Sequence, residues 1–206
     1  MKNINALLVI LTMLLLGGCN EKLNAKPHEG HENKTAQVKP NANSTEGYQE
    51  GIHYVKVNGI VSETNEVREY FSFYCPHCYK FEGFMGILKK ELPEDIALEK
   101  NHVDFLRVAS PKMQQLLTQA LVVGQELGME SETAAAIFKY IHVSRATPTS
   151  INDIRNIFIL MGVEADKFET LMRSEKVIEK AKAMKANQEA LAKTEGKKSL
   201  KYCSPL

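Results

Sequence analysis

The stretch from Glu66 to Leu106 leaves this chain few ways to fold. Val67, Tyr70, Phe71, Phe73 and Tyr74 make Glu66–Tyr74 a β-rich, nearly continuous apolar run, the pattern of a central strand covered on both faces. Cys75-Pro76-His77-Cys78 ends the run. Cys78, Phe81, Phe84, Met85, Leu88 and Leu92 then recur at helical spacing and form one stripe. Pro76 suits a first helical turn, Lys89 and Lys90 suit the carboxyl end of the helix dipole, and Pro93 stops the helix. Gly83 and Gly86 weaken it by about 1 kcal/mol each relative to alanine. Ala97–Leu106 reads as a second strand. Strand, helix and strand within about forty residues make a βαβ unit, so the two strands run parallel.

Ahead of this unit, His53–Val57 alternates, Asn58-Gly59 reads as a turn, and Ile60–Val61 continues as strand. Behind it the pattern changes to helices. Ser110-Pro111 opens one that runs to Glu126 and closes near Gly128, and Glu130–His142 is a second. Ser150-Ile151-Asn152-Asp153 forms a capping box that opens a third, stopped at Gly162. Asp166–Arg173 is a short fourth. Ser174–Lys193 is the longest, with Val177, Ala181, Met184, Gln188 and Leu191 as its buried stripe. The order of elements is that of a small α/β unit with a helical insertion.

Lys and Arg number 26 against 25 Asp and Glu, for a net charge of +1, a balance that gives no reason to expect nucleic acid as a partner. Four cysteines in 206 residues are too few for a disulfide-stapled scaffold.

The amino terminus reads as an address. Ala6–Leu16 is too short for a stable span, which needs about 20 apolar residues, and has the length of a secretory signal. Leu16-Gly17-Gly18-Cys19 resembles a bacterial lipobox, which makes residues 1–18 a lipoprotein-type signal peptide and Cys19 the lipidated first residue, anchored by acyl chains worth ~0.8 kcal/mol per buried methylene. Residues 19–47 make a lipid-anchored flexible linker, poor in aliphatic residues and without an aromatic one. Its reach is roughly 30 Å root-mean-square. His28 and His31 lie in that linker as solvated residues.

Two thiols separated by two residues at a strand-to-helix junction can do three things. They can supply half of a zinc site, form an inert bridge, or cycle between dithiol and disulfide. A zinc site needs further ligands, and Cys203 and His102 are the only distant candidates, with no second CxxC. An inert bridge would close too small a loop to constrain much. Redox cycling suits the position, because unpaired N–H groups and the positive dipole end at a helix amino terminus favour a thiolate. On this reading Cys75 sits at the cap, open to solvent and substrate. Cys78, on the apolar stripe, is its buried internal partner, and His77, when protonated, favours the thiolate further.

Glu69–Glu82, Glu-Tyr-Phe-Ser-Phe-Tyr-Cys-Pro-His-Cys-Tyr-Lys-Phe-Glu, resembles the active-site segment of the DsbA family of periplasmic thiol–disulfide oxidoreductases. The resemblance continues through Lys100-Asn101-His102-Val103-Asp104-Phe105 and reaches about Thr194. It implies an α/β, thioredoxin-like fold with a helical insertion domain: 48–109 the thioredoxin-like amino-terminal part, 110–173 the insertion, 174–194 the long return helix. By the same resemblance Glu69 is a buried acid beneath the active site, Lys100 its partner on the neighbouring strand, and His102 a histidine near the site. A depressed thiol pKa is already established for proteins of this family.

What the resemblance implies is disulfide donation through Cys75, Pro76, His77 and Cys78 without an organic cofactor. Reduced client proteins in the envelope and a membrane reoxidase of the DsbB type are its partners, and the periplasm of a Gram-negative bacterium its location. After the long helix the family has a loop with a cis-proline, two more strands and a final helix. Here no proline occurs between Pro148 and Pro205, and 195–206 is an aperiodic basic tail in which Cys203 has no inherited role. The expectation is a chain whose C-terminal strands and last helix are missing, with uncovered apolar faces and strand edges. Two alternatives stand beside disulfide donation: a metal-binding envelope lipoprotein using Cys75, Cys78 and a histidine, and an inactive truncation product.

Overall fold

Six residues of strand are enough to start this fold. The computed structural model describes residues 47–56 and 62–194. The signal peptide, Cys19, most of the linker, the Asn58-Gly59 turn with Ile60–Val61, and the tail with Cys203 lie outside the described residues. All elements belong to one unit of the chain, which begins at Tyr48.

Strand β1 is Glu66–Phe71 and pairs in parallel with β2, Ala97–His102, with Glu69 opposite Lys100 and Phe71 opposite His102. Both strands stop earlier than their apolar patterns suggest. Ser72 turns the chain: its Oγ accepts from the Tyr74 N–H at 3.3 Å and its carbonyl from the Cys75 N–H at 3.0 Å. Phe73 and Tyr74 therefore lie in a turn rather than a strand. Since β1 offers nothing past Phe71, the Val103 N–H makes the last bond, to the Phe71 carbonyl at 2.8 Å, and β2 ends there rather than at Leu106. Among the described residues the sheet has these two strands only, so β1 is not a central strand there; only Phe71 of it is fully buried.

The described part of the expected first strand, residues 53–56, is not one. Gly51, at φ +83°, turns the chain, the Gln49 carbonyl takes the amides of Ile52 and His53, and one isolated bridge joins Glu50 to Tyr54.

Helix α1, Pro76–Glu91, follows the turn. Its expected stripe is only partly covered. Met85 alone is buried, while Phe81, Phe84 and Ile87 are 47%, 50% and 59% exposed. A helical stripe shows which side chains align, not whether anything lies across from them.

The remaining helices hold the core. Helix α2, Pro111–Glu126, is capped by Ser110 Oγ, which accepts from the Met113 N–H at 3.2 Å, and it ends before Gly128 at φ +68°. Its Leu117 and Leu121 are fully buried in one core with Phe71, Phe73, Phe138, Phe158 and Phe168. Each such side chain contributes about 2 kcal/mol of burial. Gly124 lets α2 approach α3, Glu130–Phe138; an added Cβ would lie 2.7 Å from Thr133 Cβ. Helix α3 stops short of His142, because Lys139–Val143 widens into a π turn, closed by the Ser144 N–H on the Lys139 carbonyl at 3.0 Å. Helix α4, Ile151–Leu160, opens as its sequence promises. The Asp153 carboxylate takes the Ser150 and Thr149 amides at 2.9 and 2.8 Å.

Helix α5, Ala165–Met172, precedes α6, Glu175–Thr194, which packs on α2 and on β2. Val177, Ala181, Met184 and Gln188 are buried as the pattern requires, and Leu191 is half-buried. Past Met184 the grip on β2 and the residues that follow it is polar. Asn187 donates to Asn101 Oδ1 at 3.0 Å, Gln188 Oε1 accepts the Asp104 N–H at 3.0 Å, and Lys185 reaches Asp104 Oδ2 at 2.7 Å. Burial alone would raise the Asp104 carboxyl; Lys185 and Gln188 outweigh it and leave its pKa below the ordinary value. Among the described residues no helix is long and apolar enough to cross a membrane.

Candidate active site

The turn Ser72–Cys75 delivers Cys75 to the N-cap of α1. Its φ of −88° and ψ of 114° are extended, and its sulfur accepts from the Cys78 N–H at 3.4 Å. The Tyr79 N–H starts the helical ladder on the Cys75 carbonyl at 3.1 Å. Pro76 fills the first helical turn, where a missing N–H leaves nothing unpaired, and it is exposed, as is His77. The cap geometry is thus the one a thiolate acceptor needs, with amides converging on one sulfur.

Burial reverses the sequence expectation for the two cysteines. Cys75 is 4% exposed, whereas Cys78 is only half-buried. The reason lies in α1. Cys78 packs on the edge of the core at the start of a stripe that opens to solvent by Phe81 and Phe84, while the tight turn before the helix tucks Cys75 inward. In this buried state desolvation opposes the cap. Burial pushes the thiol up from the ordinary cysteine value and the Cys78 side chain adds to that, with the amides of Cys78 and His77 pulling the other way. Sequence reasoning counted the amides and missed the desolvation.

Glu69 and Lys100 meet as expected, on facing strands, with Lys100 Nζ 2.7 Å from Glu69 Oε2. A third member was not anticipated. Glu82 Oε2 lies 2.8 Å from the same ammonium. Glu82 stands one helical turn after Cys78, so this ion cluster ties α1 to the sheet directly behind the cysteines. Its signal was an acid four residues past Cys78 on the same helix face. Burial raises the Glu69 carboxyl although Lys100 opposes it. Burial works against the Lys100 ammonium, but the two carboxylates outweigh it and leave its pKa raised. Phe71 lies under the ammonium at 4.8 Å.

His102 is a core histidine. It is fully buried, stacked on Phe73 at 5.0 Å, and its Nδ1 lies 2.8 Å from Thr118 Oγ1. Thr118 donates its own hydrogen to the Gln114 carbonyl at 3.1 Å, so Nδ1 is the donor and the ring is the neutral tautomer. Burial pushes its pKa down to about 3. One further residue reaches the cysteine turn without any local signal in the sequence. His142, on the π turn, holds the Phe73 carbonyl at 2.8 Å and stacks on Tyr79. Among the described residues no group of three or more potential ligands could hold a metal ion, so the metal-binding alternative gains no support there.

Residues 66–194 match the model of the DSBA-like thioredoxin domain. The thiol:disulfide interchange protein DsbA of Escherichia coli O6:H1 is 34% identical over 148 residues, which cover 70% of this chain and 67% of that protein. The protein of the same name from Pectobacterium carotovorum is also 34% identical, with the same coverage. Among solved structures, a Proteus mirabilis DsbA variant with a non-covalently bound peptide matches with a TM-score of 0.62 at 30% identity, covering 70% of this chain and 76% of that one. DsbA from Klebsiella pneumoniae matches with a TM-score of 0.59 at 28% identity, over 71% and 75%.

Proposed function

This chain belongs to the DSBA-like thioredoxin family and is a thiol–disulfide oxidoreductase, and from that premise we propose that it donates a disulfide through Cys75 and Cys78. The observation that carries the assignment of roles is the N-cap geometry, in which the Cys78 amide points at the Cys75 sulfur. In the oxidised form the two sulfurs are bridged. A client thiolate attacks Cys75 Sγ, the Cys75–Cys78 bond breaks, and Cys78 leaves as a thiolate. A second client thiolate then attacks the client sulfur of the mixed disulfide, and Cys75 leaves as a thiolate held by the cap amides. Two electrons pass from the client to the cysteine pair, and the client gains the disulfide. Cys75 is buried in the dithiol state, so the client's approach must uncover it; release of that burial moves its thiol down, toward a better leaving group.

Pro76 keeps the first turn rigid, and His77 is exposed beside the pair, where its protonated form favours the thiolate. Glu69 and Lys100 lie behind the pair as a charge couple able to take up or release a proton as the sulfurs ionise. The chemistry needs no organic cofactor, the redox group being the cysteine pair itself.

The same reading gives the protein reduced clients in the bacterial envelope, a membrane reoxidase of the DsbB type, and a periplasmic location with a lipid anchor at Cys19. Its support is the relatives' common name, the apolar run Ala6–Leu16 and the Leu16–Cys19 tetrad, the last two outside the described residues.

The test uses the oxidised full chain mixed with a reduced, unfolded protein that contains two cysteines. The wild type should transfer one disulfide per molecule. Cys75→Ser should transfer none, and Cys78→Ser, precharged with glutathione, should hold the adduct on Cys75. Transfer that survives Cys75→Ser would overturn the assignment.

A further inference from the structure

His142 touches both flanks of the cysteine motif from a distant part of the chain. Its Nε2 lies 2.8 Å from the carbonyl of Phe73, a residue 69 positions earlier and two before Cys75. A carbonyl only accepts, so Nε2 carries the hydrogen and donates it. Its ring lies parallel to that of Tyr79, the residue after Cys78, with centroids 5.1 Å apart and planes 8° apart. Phe138, one turn earlier, packs its ring against Phe73 at 5.1 Å and Tyr79 at 5.9 Å, so the helical part of the chain meets the motif with two rings side by side.

The π turn Lys139–Val143 is what aims His142. Widening the helix by one residue rotates every later side chain relative to Phe138, and such turns recur where a helix must present a group at an angle the regular spiral does not offer. On the motif side, the Phe73 carbonyl has no role in the Ser72–Cys75 turn. That turn is closed instead by the Ser72 carbonyl and hydroxyl, which take the Cys75 and Tyr74 amides. The Phe73 peptide is therefore oriented from outside the turn, and its orientation fixes where the following peptides, and hence the Cys75 sulfur, stand relative to the Cys78 amide.

We propose that His142 is a positioning residue for the exchange site: its Nε2–H fixes the Phe73 carbonyl while its ring braces Tyr79, and this holds the Cys75 sulfur under the Cys78 amide. The inference rests on the cysteine pair being the exchange site. His142 takes no part in bond making. Its effect is on how well the helix amino terminus supports charge on Cys75, and the donated hydrogen bond is the element that matters.

The experiment titrates the Cys75 thiolate of the reduced full chain by its ultraviolet absorbance and measures the equilibrium of the pair with glutathione, for wild type, His142→Phe and His142→Gln. Phenylalanine keeps a ring against Tyr79 and loses the donor; glutamine keeps a donor and loses the ring. His142→Phe should weaken the thiolate and shift the glutathione equilibrium toward the disulfide by about fivefold, the scale of one neutral hydrogen bond, and His142→Gln should restore most of it. If His142→Phe fails to fold by circular dichroism, His142→Asn, a donor too short to reach the carbonyl, takes its place with the same expectation. A titration and an equilibrium unchanged in the donor-less variant overturn the proposal, as does a glutamine variant shifted as far as phenylalanine. A wild type that exchanges no disulfide would sink the functional reading instead, and the thiolate titration would still decide the part played by His142.

Discussion

Replacing Lys100 by methionine separates the ion cluster's contribution to folding from its proximity to the cysteines. The wild-type ammonium is 6% exposed and satisfies two carboxylates at 2.7 and 2.8 Å. Methionine fills much of the same volume but leaves Glu69, 10% exposed, facing Glu82, 20% exposed, with no cation between them. Removing one partner of a buried ion pair typically costs 3–5 kcal/mol, and the solvent still reaching Glu82 puts this case at the lower end, about 3 kcal/mol at neutral pH. The pH dependence carries the sharper test. Burial already holds the folded-state pKa of Glu69 above its ordinary value, and loss of Lys100 removes the main opposing influence. A group whose folded pKa is raised binds a proton more readily folded than unfolded, so its penalty is felt above the folded pKa and fades as pH falls toward the unfolded value. The deficit of Lys100→Met should therefore shrink by half or more between about pH 7 and about pH 5. Urea unfolding followed by circular dichroism at both pH values measures it. A deficit below about 1 kcal/mol at neutral pH, or one that stays constant on acidification, refutes the reasoning.

Gly124→Ala should destabilise by about 1–3 kcal/mol, because the new methyl meets Thr133 Cβ at 2.7 Å and α2 and α3 must part to admit it; an unchanged urea midpoint would show that the two helices are not in close contact. Phe84→Asp should cost less than about 0.5 kcal/mol, since the ring is half exposed. The same substitution should lower binding of an apolar fluorescent dye and raise solubility, because Phe81, Phe84 and Ile87 share one open face of α1. Equal dye binding before and after would place the sticky surface elsewhere.

Helix boundaries were the most legible part of this sequence. Ser110-Pro111, the Ser150–Asp153 box, Gly128 and Gly162 each mark an end through chemistry confined to a few residues, and each marks it in the structure. The stripe of α6 was legible for the same reason, since one side of a long helix faces α2 and β2 along its length. Within the site, the Glu69–Lys100 pairing followed from resemblance and the strand register bears it out as a contact. What was not legible depends on partners far along the chain. Nothing between Cys78 and Leu92 says whether the stripe of α1 is covered, so the exposure of Phe81 and Phe84 and the relative burial of the two cysteines went unforeseen. The strand ends were misjudged because Phe73 and Tyr74 are strand-like by composition, and only the Ser72 turn takes them out of the ladder. Glu82 and His142 act on residues brought near by tertiary folding, and pattern reading along one element does not reach them.

The return helix α6 is fastened in two different ways along its length. From Val177 to Met184 buried apolar side chains carry the contact, which water cannot replace, with the Lys180–Glu126 ion pair at its margin; from Lys185 to Gln188 it is held by amides and charges alone, for which water is a ready substitute. Strain applied at the carboxyl end would thus peel this helix back only as far as Met184 before meeting real resistance. The second half is a latch and the first half its hinge plate, and the loop after β2 is the part that feels the latch lift.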